Sequence, residues 1–253
     1  MDITFLGTGT SHGVPRIGCS CSVCKSNNVK NKRLRSSIHT QSGDTSIVID
    51  TGPEFRIQML THHINHLSAV LYTHNHADHI NGIDDLRVFS EISPLEVYGP
   101  QQVIDDLHQR FLYAIGTNPI RGGLPQLITT LMPLSGIHIG ELSILPIPLI
   151  HGCREVYGYR IGKFAYLSDC KEIPNESIEK LQGVEVVVID ALRYKLHPTH
   201  MNLDEAVASS LLIGANETYF THLSHNFDHD TLIRDLPHGM YPAYDGLILH
   251  IES

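Results

Sequence analysis

Apolar and β-branched residues cluster in short runs at 3–6, 46–49, 69–72, 95–98, 142–148, 164–167, 184–189, 219–221 and 247–251. Runs of this length read as strands, and they dominate the plan. Between them, helical spacing of apolar positions occurs at 101–113, 175–181 and 203–213, the last preceded by Asn202 as N-cap. Strands and helices alternating in this way predict an α/β (α+β) chain with two sheets and helices outside them. The Gly- and Pro-rich segment 116–126, with TNPIRGGLP at its heart, reads as a loop of the kind that lines or covers sites. No low-complexity tract and no sequence repeat interrupts the pattern, and 253 residues suffice for one domain spanning 1–253.

Composition narrows the function. The 27 Asp and Glu exceed the 18 Lys and Arg, for a net charge of −9, which disfavours long nucleic acid as a partner but leaves small anions open. The opening MDITFLGTGT reads as a strand and glycine turn rather than a leader, and no apolar run approaches the roughly 20 residues of a membrane span. Three of the five cysteines crowd together at Cys19, Cys21 and Cys24, a spacing suited to one metal rather than a disulfide framework, so a reducing cytoplasm is expected. A homodimer is compatible with the sequence.

The 18 histidines match Lys plus Arg in number, and their grouping shows why. In THNHADH, His74, His76, Asp78 and His79 follow the run AVLYT and are expected on a loop at a strand end. Four ligands within six residues can diverge toward two ions, His74 and His76 to one, Asp78 and His79 to the other. Imidazole with carboxylate suits Zn, Mn or Fe. Two ions about 3.5 to 4 Å apart can hold a hydroxide at neutral pH and neutralise charge on a phosphoryl or carbonyl oxygen. Two other motifs carry nothing: GTGTSHG misses the dinucleotide-binding spacing by one residue, and the Asp50-Thr51-Gly52 triplet has no second copy of the kind an aspartic protease needs.

The order FLGTGT, IDTG, THNHADH, an isolated His151, Asp169 closing FAYLSD and His222 in YFTHLSH resembles the metallo-β-lactamase superfamily nearly end to end. The resemblance implies a four-layer αββα sandwich with the site at one edge of the sheets. It also implies that His151 completes the first ion's ligands, His222 the second's, and that Asp169 bridges both. Asp50 is either a hydrogen-bonding support for the ligand loops or a turn residue.

GCSCSVCKS places Cys19, Cys21 and Cys24 as C-x-C-x-x-C, and His225 is the best fourth ligand for a structural zinc. Cys153 and Cys170 are expected to pack. The cluster resembles the phosphodiesterase branch of the superfamily typified by phosphoribosyl cyclic phosphodiesterases, and LRYKLHPTHMNLDEA agrees with it. That segment also resembles one in the tRNA 3′-processing endonucleases. By this resemblance His200 protonates the leaving alkoxide of a small phosphodiester while dimetal-bound hydroxide attacks phosphorus, and Asp190 holds that proton ready. His197 competes for the same role, and a helix-start residue without catalytic duty is the alternative for His200. Arg121 and Arg56 are candidates to contact the substrate's anion, or are a solvated loop arginine and a partner of a fold carboxylate. The rival functions are a tRNA-processing nuclease, a thioester or lactam hydrolase, and a non-catalytic zinc-binding relative similar to the pyrroloquinoline quinone biosynthesis protein.

Overall fold

The computed structural model describes residues 1–116 and 123–252. Among the described residues fourteen strands form two seven-stranded sheets. The first contains β1 (Asp2–Gly7), β2 (Ser37–Ser42), β3 (Thr45–Ile49), β4 (Ala69–Leu71), β5 (Leu95–Gly99), β6 (Leu127–Leu131) and, at its edge, β14 (Ile248–His250). The second contains β7 (Ile137–Ile139), β8 (Leu142–His151), β9 (Arg154–Ile161), β10 (Phe164–Leu167), β11 (Val186–Asp190), β12 (Glu217–Thr221) and β13 (Met240–Pro242). The sheets share one logic. In the first, β1, β2 and β3 run antiparallel, then β3 to β6 are parallel. In the second, β7 to β10 run antiparallel, then β10 to β13 are parallel. The strands at which the pattern changes, β3 and β10, occupy corresponding places in the two halves.

Both faces of the central strands are covered, and the side-chain period of two sorts them. Ile47 and Ile49 meet Phe164, Tyr166, Val186 and Val188 in the core between the sheets. Their neighbours Ala165, Leu167, Val187 and Ile189 turn the other way, beneath the helices of the second sheet, and Val48 and Val70 do the same in the first. Strands buried on both faces read as continuous apolar runs, which is why they stand out in the sequence. The helices Ser22–Lys25 (α1), Phe55–Thr61 (α2), Ala77–Ile80 (α3), Gln101–Arg110 (α4), Asn175–Lys180 (α5), Leu203–Ile213 (α6) and His229–Asp235 (α7) complete the αββα layering. Among the described residues no helix is long and apolar enough to cross a membrane.

Asn202 caps α6: its side chain accepts from Glu205 N at 3.0 Å, and Glu205 accepts from Asn202 N at 2.9 Å. The helix expected at 101–113 ends at Arg110, because Phe111 leaves helical geometry at φ −126° and ψ 35°, and Leu112–Ala114 forms a 3-10 turn instead. Strands β2, β6, β7, β9 and β13 escape the apolar pattern. β2 carries His39, Thr40 and Gln41 among its residues, and β9 carries Gly158, whose absent Cβ would meet Leu167 Cδ2 at 2.7 Å. Of the segment 116–126, positions 117–122 lie outside the described residues, and the stretch just before β6 is irregular.

Candidate active site

Strand ends from both sheets deliver the site to one edge. β3 runs into Asp50, β4 into Thr73 and His74, β8 into His151, β10 into Asp169, β11 ends at Asp190, and β12 runs into His222. Three of these residues take positive φ: Asp50 at 66°, Asp169 at 53° and His222 at 58°. Such a conformation costs a residue with a Cβ about 1–3 kcal/mol and persists only where its surroundings fix it. Asp50 and Asp169 follow β3 and β10, the two strands where each sheet changes from antiparallel to parallel.

His74 and His76 lie on the expected loop, whereas Asp78 and His79 sit on the helical turn α3. Two four-residue groups converge within 4.8 Å: His74, His76, His151 and Asp169, and Asp78, His79, Asp169 and His222. Asp169 belongs to both. Its Oδ2 lies 3.7 Å from His74 Nε2 and 3.3 Å from His79 Nε2, and its Oδ1 3.3 Å from His222 Nε2. Asp78 Oδ2 lies 3.3 Å from His79 Nε2 and 3.9 Å from His222 Nε2.

Hydrogen bonds fix which ring nitrogen faces the centre. The Asp50 carboxylate accepts from His79 Nδ1 at 2.7 Å and from the Thr73 hydroxyl at 2.8 Å. With its proton given to Asp50, Thr73 Oγ1 can only accept from His74 Nδ1, 3.0 Å away. One carboxylate therefore sets the tautomer of a histidine in each group, directly for His79 and through Thr73 for His74. The Thr199 carbonyl takes the Nδ1 proton of His151 at 2.8 Å. In all three rings Nδ1 is committed to these acceptors, which leaves Nε2 as the nitrogen a cation can engage. The Nε2 atoms of His74, His79 and His222 are buried without a hydrogen-bond partner, a cost of about 1–3 kcal/mol for each such group. The set fits a pair of divalent cations, which would engage all three at once.

The charges agree. Burial disfavours ionised Asp169, yet His222, His79 and His74 hold its carboxyl well below the usual carboxylate range. Burial likewise opposes charge on His79, yet Asp169, Asp50 and Asp78 raise it well above an ordinary histidine. The acidic groups call for positive charge at the centre, which cations can supply.

Beside this centre, Asp190 Oδ2 accepts from His200 Nδ1 at 2.8 Å and from the Cys170 backbone N–H at 3.0 Å. Its Oδ1 lies 3.6 Å from His222 Nδ1. The His200 ring stacks on His222 at 4.7 Å and meets His151 at 4.6 Å. Burial would hold His200 neutral, but the charge of Asp190 and the hydrogen bond to it carry the ring up to about 9.

A third group of ligand atoms joins Cys19, Cys21, Cys24 and His225. His225 Nδ1 lies 3.3 Å from Cys19 Sγ and 3.4 Å from Cys21 Sγ. The Cys24 backbone N–H and His225 pull the Cys21 thiol down to about 6, whereas burial pushes Cys24 up to about 11. The opening GTGT braces the neighbouring loop, since Thr8 O accepts from Leu223 N at 2.9 Å, next to His222. Gly9 bridges to Leu223 on one side and Arg35 on the other, and a Cβ there would meet Arg33 Cβ at 2.9 Å. These glycines serve close backbone approach.

The sequence alone did not signal Thr73, Thr199 or the contact of Asp190 with His222. Cys170 is buried as expected, but Cys153 is exposed on the turn after His151. Arg56 is exposed and lines a groove with Met59, Val88 and Phe89 that includes none of the metal-binding groups. Arg121 lies outside the described residues.

Two sheets that bring these histidine and aspartate clusters to one edge form an architecture able to hold a pair of metal ions. Residues 45–223 match the beta-lactamase superfamily domain. A solved diphosphatase of the PhnP family is 40% identical, with a TM-score of 0.93 over 99% of this chain and 98% of that one. Zn²⁺-bound PqqB from Methylobacterium extorquens shares the fold at a TM-score of 0.81 and 19% identity, over 99% of this chain and 100% of that one. An octanoyltransferase of Porphyromonas gingivalis (strain ATCC BAA-308 / W83) is 39% identical over 257 residues, 100% of this chain and 52% of that protein. The chain thus spans about half the length of this curated relative. It belongs to the beta-lactamase superfamily.

Proposed function

We propose that the protein is a phosphodiesterase that hydrolyses a small phosphodiester, cyclic forms included. The observation that carries this reading is His200, bonded through Nδ1 to buried Asp190 at 2.8 Å and stacked on His222. Divalent ions, when bound, activate water and neutralise charge on the phosphoryl oxygens. The chain's own residues do the rest. Asp50, Thr73 and Thr199 aim the ligand nitrogens inward. Asp190 keeps His200 charged, with its Nε2 proton available to the departing alkoxide. Such a donor is needed most when the leaving group is a poor one, as an alkyl alkoxide is.

The net charge of −9 weighs against precursor tRNA as the substrate. A second reading, hydrolysis of a diphosphate, is favoured by the name of the 40% identical neighbour. The transferase among the relatives is about twice as long as the matched stretch, and the imidazole and carboxylate site here is read as hydrolytic. The test is chelator-stripped protein reconstituted with Mn or Zn and assayed on an alkyl phosphodiester. Activity should return with about two equivalents at this centre, and a stripped protein as active as the reconstituted one would reject the proposal.

The reading assigns zinc to the cysteine group, where three sulfurs and one imidazole form a closed structural set. Cys19→Ser should lower zinc content by one per chain and lower the thermal midpoint, because binding at such a site contributes to folding. Activity should fall only as far as the His222 loop loosens. Unchanged zinc content in this variant rejects the assignment.

Asp50→Asn should keep the fold but weaken metal binding by roughly 10- to 100-fold, the usual effect of losing a carboxylate behind a ligating histidine. Both halves of the centre should respond, since Asp50 acts on His79 and, through Thr73, on His74. Competition with a chromophoric chelator measures this, and unchanged affinity would reduce Asp50 to a turn residue.

A further inference from the structure

His197 lies outside the metal centre and outside the His200–Asp190 pair, yet its ring is 5.2 Å from that of His200. The segment joining them is indexed to a proposed metal ligand. Thr199 accepts the Nδ1 proton of His151 through its carbonyl at 2.8 Å and packs hard on the next residue, since a Cβ on Gly152 would meet Thr199 Cγ2 at 2.9 Å. The amide of the same Thr199 donates to His197 Nδ1 at 3.3 Å, and its hydroxyl lies 3.2 Å from that nitrogen.

A backbone N–H can only donate, so His197 Nδ1 is an acceptor and the ring carries its single proton on Nε2. Protonating Nδ1 would set two N–H groups head to head. The surroundings work in the same direction: burial, the largest influence, holds this imidazole below an ordinary histidine. Its one remaining donor, Nε2–H, has no hydrogen-bond partner among the described residues. The two histidines three positions apart are therefore unlike: His200 gives its Nδ1 proton to the Asp190 carboxylate, and His197 accepts at Nδ1 from a backbone amide.

We infer that His197 is a substrate-binding residue whose Nε2–H donates to an oxygen of the phosphodiester lying beside His200. The inference rests on the phosphodiesterase reading above. It gives the segment Arg193–His200 two duties, proton donation by one histidine and anchoring by the other.

The test uses the metal-loaded full chain with His197→Ala and His197→Gln, whose amide N–H can take the place of Nε2–H. Two quantities are read: KM for an alkyl phosphodiester, and the dissociation constant of inorganic phosphate by calorimetry. Losing a hydrogen bond to an anion corresponds to about a ten-fold change or more. His197→Ala should therefore raise both KM and the phosphate dissociation constant by about ten-fold, with metal content unchanged and kcat altered far less. His197→Gln should recover most of the loss. Unchanged KM and phosphate affinity in His197→Ala would overturn the inference, as would a fall in kcat alone, which would make His197 a proton carrier. Failure of the underlying reading looks different: the wild-type protein itself would turn over no diester.

Discussion

Asp169→Asn is expected to empty the metal centre and bring hydrolysis to background. Asp169 is the one residue common to both ligand groups, with Oδ2 facing His74 and His79 and Oδ1 facing His222. The amide keeps the size of the side chain and an acceptor for the Ser168 hydroxyl, now 2.8 Å from Oδ1. It removes the shared negative charge. The five histidines of the two groups would then face the ions with only Asp78 as a carboxylate. Elemental analysis should show the catalytic metals lost while the cysteine-site zinc stays, which separates this result from misfolding. Retention of both ions and of turnover would show that the groups are not bridged through Asp169.

His200→Ala is expected to lower kcat on an alkyl phosphodiester by about 10² to 10⁴, the usual range for a general acid. On a bis-nitrophenyl ester the loss should be much smaller, because nitrophenolate leaves as a stable anion and needs no proton. Metal content should not change, since His200 does not belong to the two groups that share Asp169. Asp190→Asn should move in the same direction. It should also disturb metal binding slightly, because Asp190 Oδ1 faces His222 Nδ1 at 3.6 Å. Equal losses on the two esters would mean that His200 binds phosphate instead of protonating the leaving group.

The strands of the inner layers were legible because both their faces are buried, so residues such as 164–167 and 186–189 form unbroken apolar runs. β2 and β9 were not, because His39, Gln41, Arg154 and Glu155 interrupt the pattern. THNHADH was legible because its ligands are contiguous. His151, Asp169 and His222 each stand alone after a strand and gained meaning only from their order in the family resemblance. The tautomer control by Thr73 and Thr199 left no trace in sequence. It depends on one hydroxyl relaying Asp50 to His74, and on a backbone carbonyl 48 residues from His151. The shared logic of the two sheets is equally silent, since it lies in strand direction rather than residue identity.

Cleavage of phosphorus–oxygen bonds in small diesters is the proposed activity of this site. The most direct measurement is kcat/KM of the Mn- and Zn-loaded protein across a five-membered cyclic phosphodiester, a linear alkyl diester, a diphosphate, a thioester, a lactam and precursor tRNA. The highest value is expected on one of the two small diesters, by at least an order of magnitude over the thioester, the lactam and the tRNA. A thioester, lactam or precursor tRNA turned over fastest, or a diphosphate cleaved with the diesters untouched, would contradict the proposed activity.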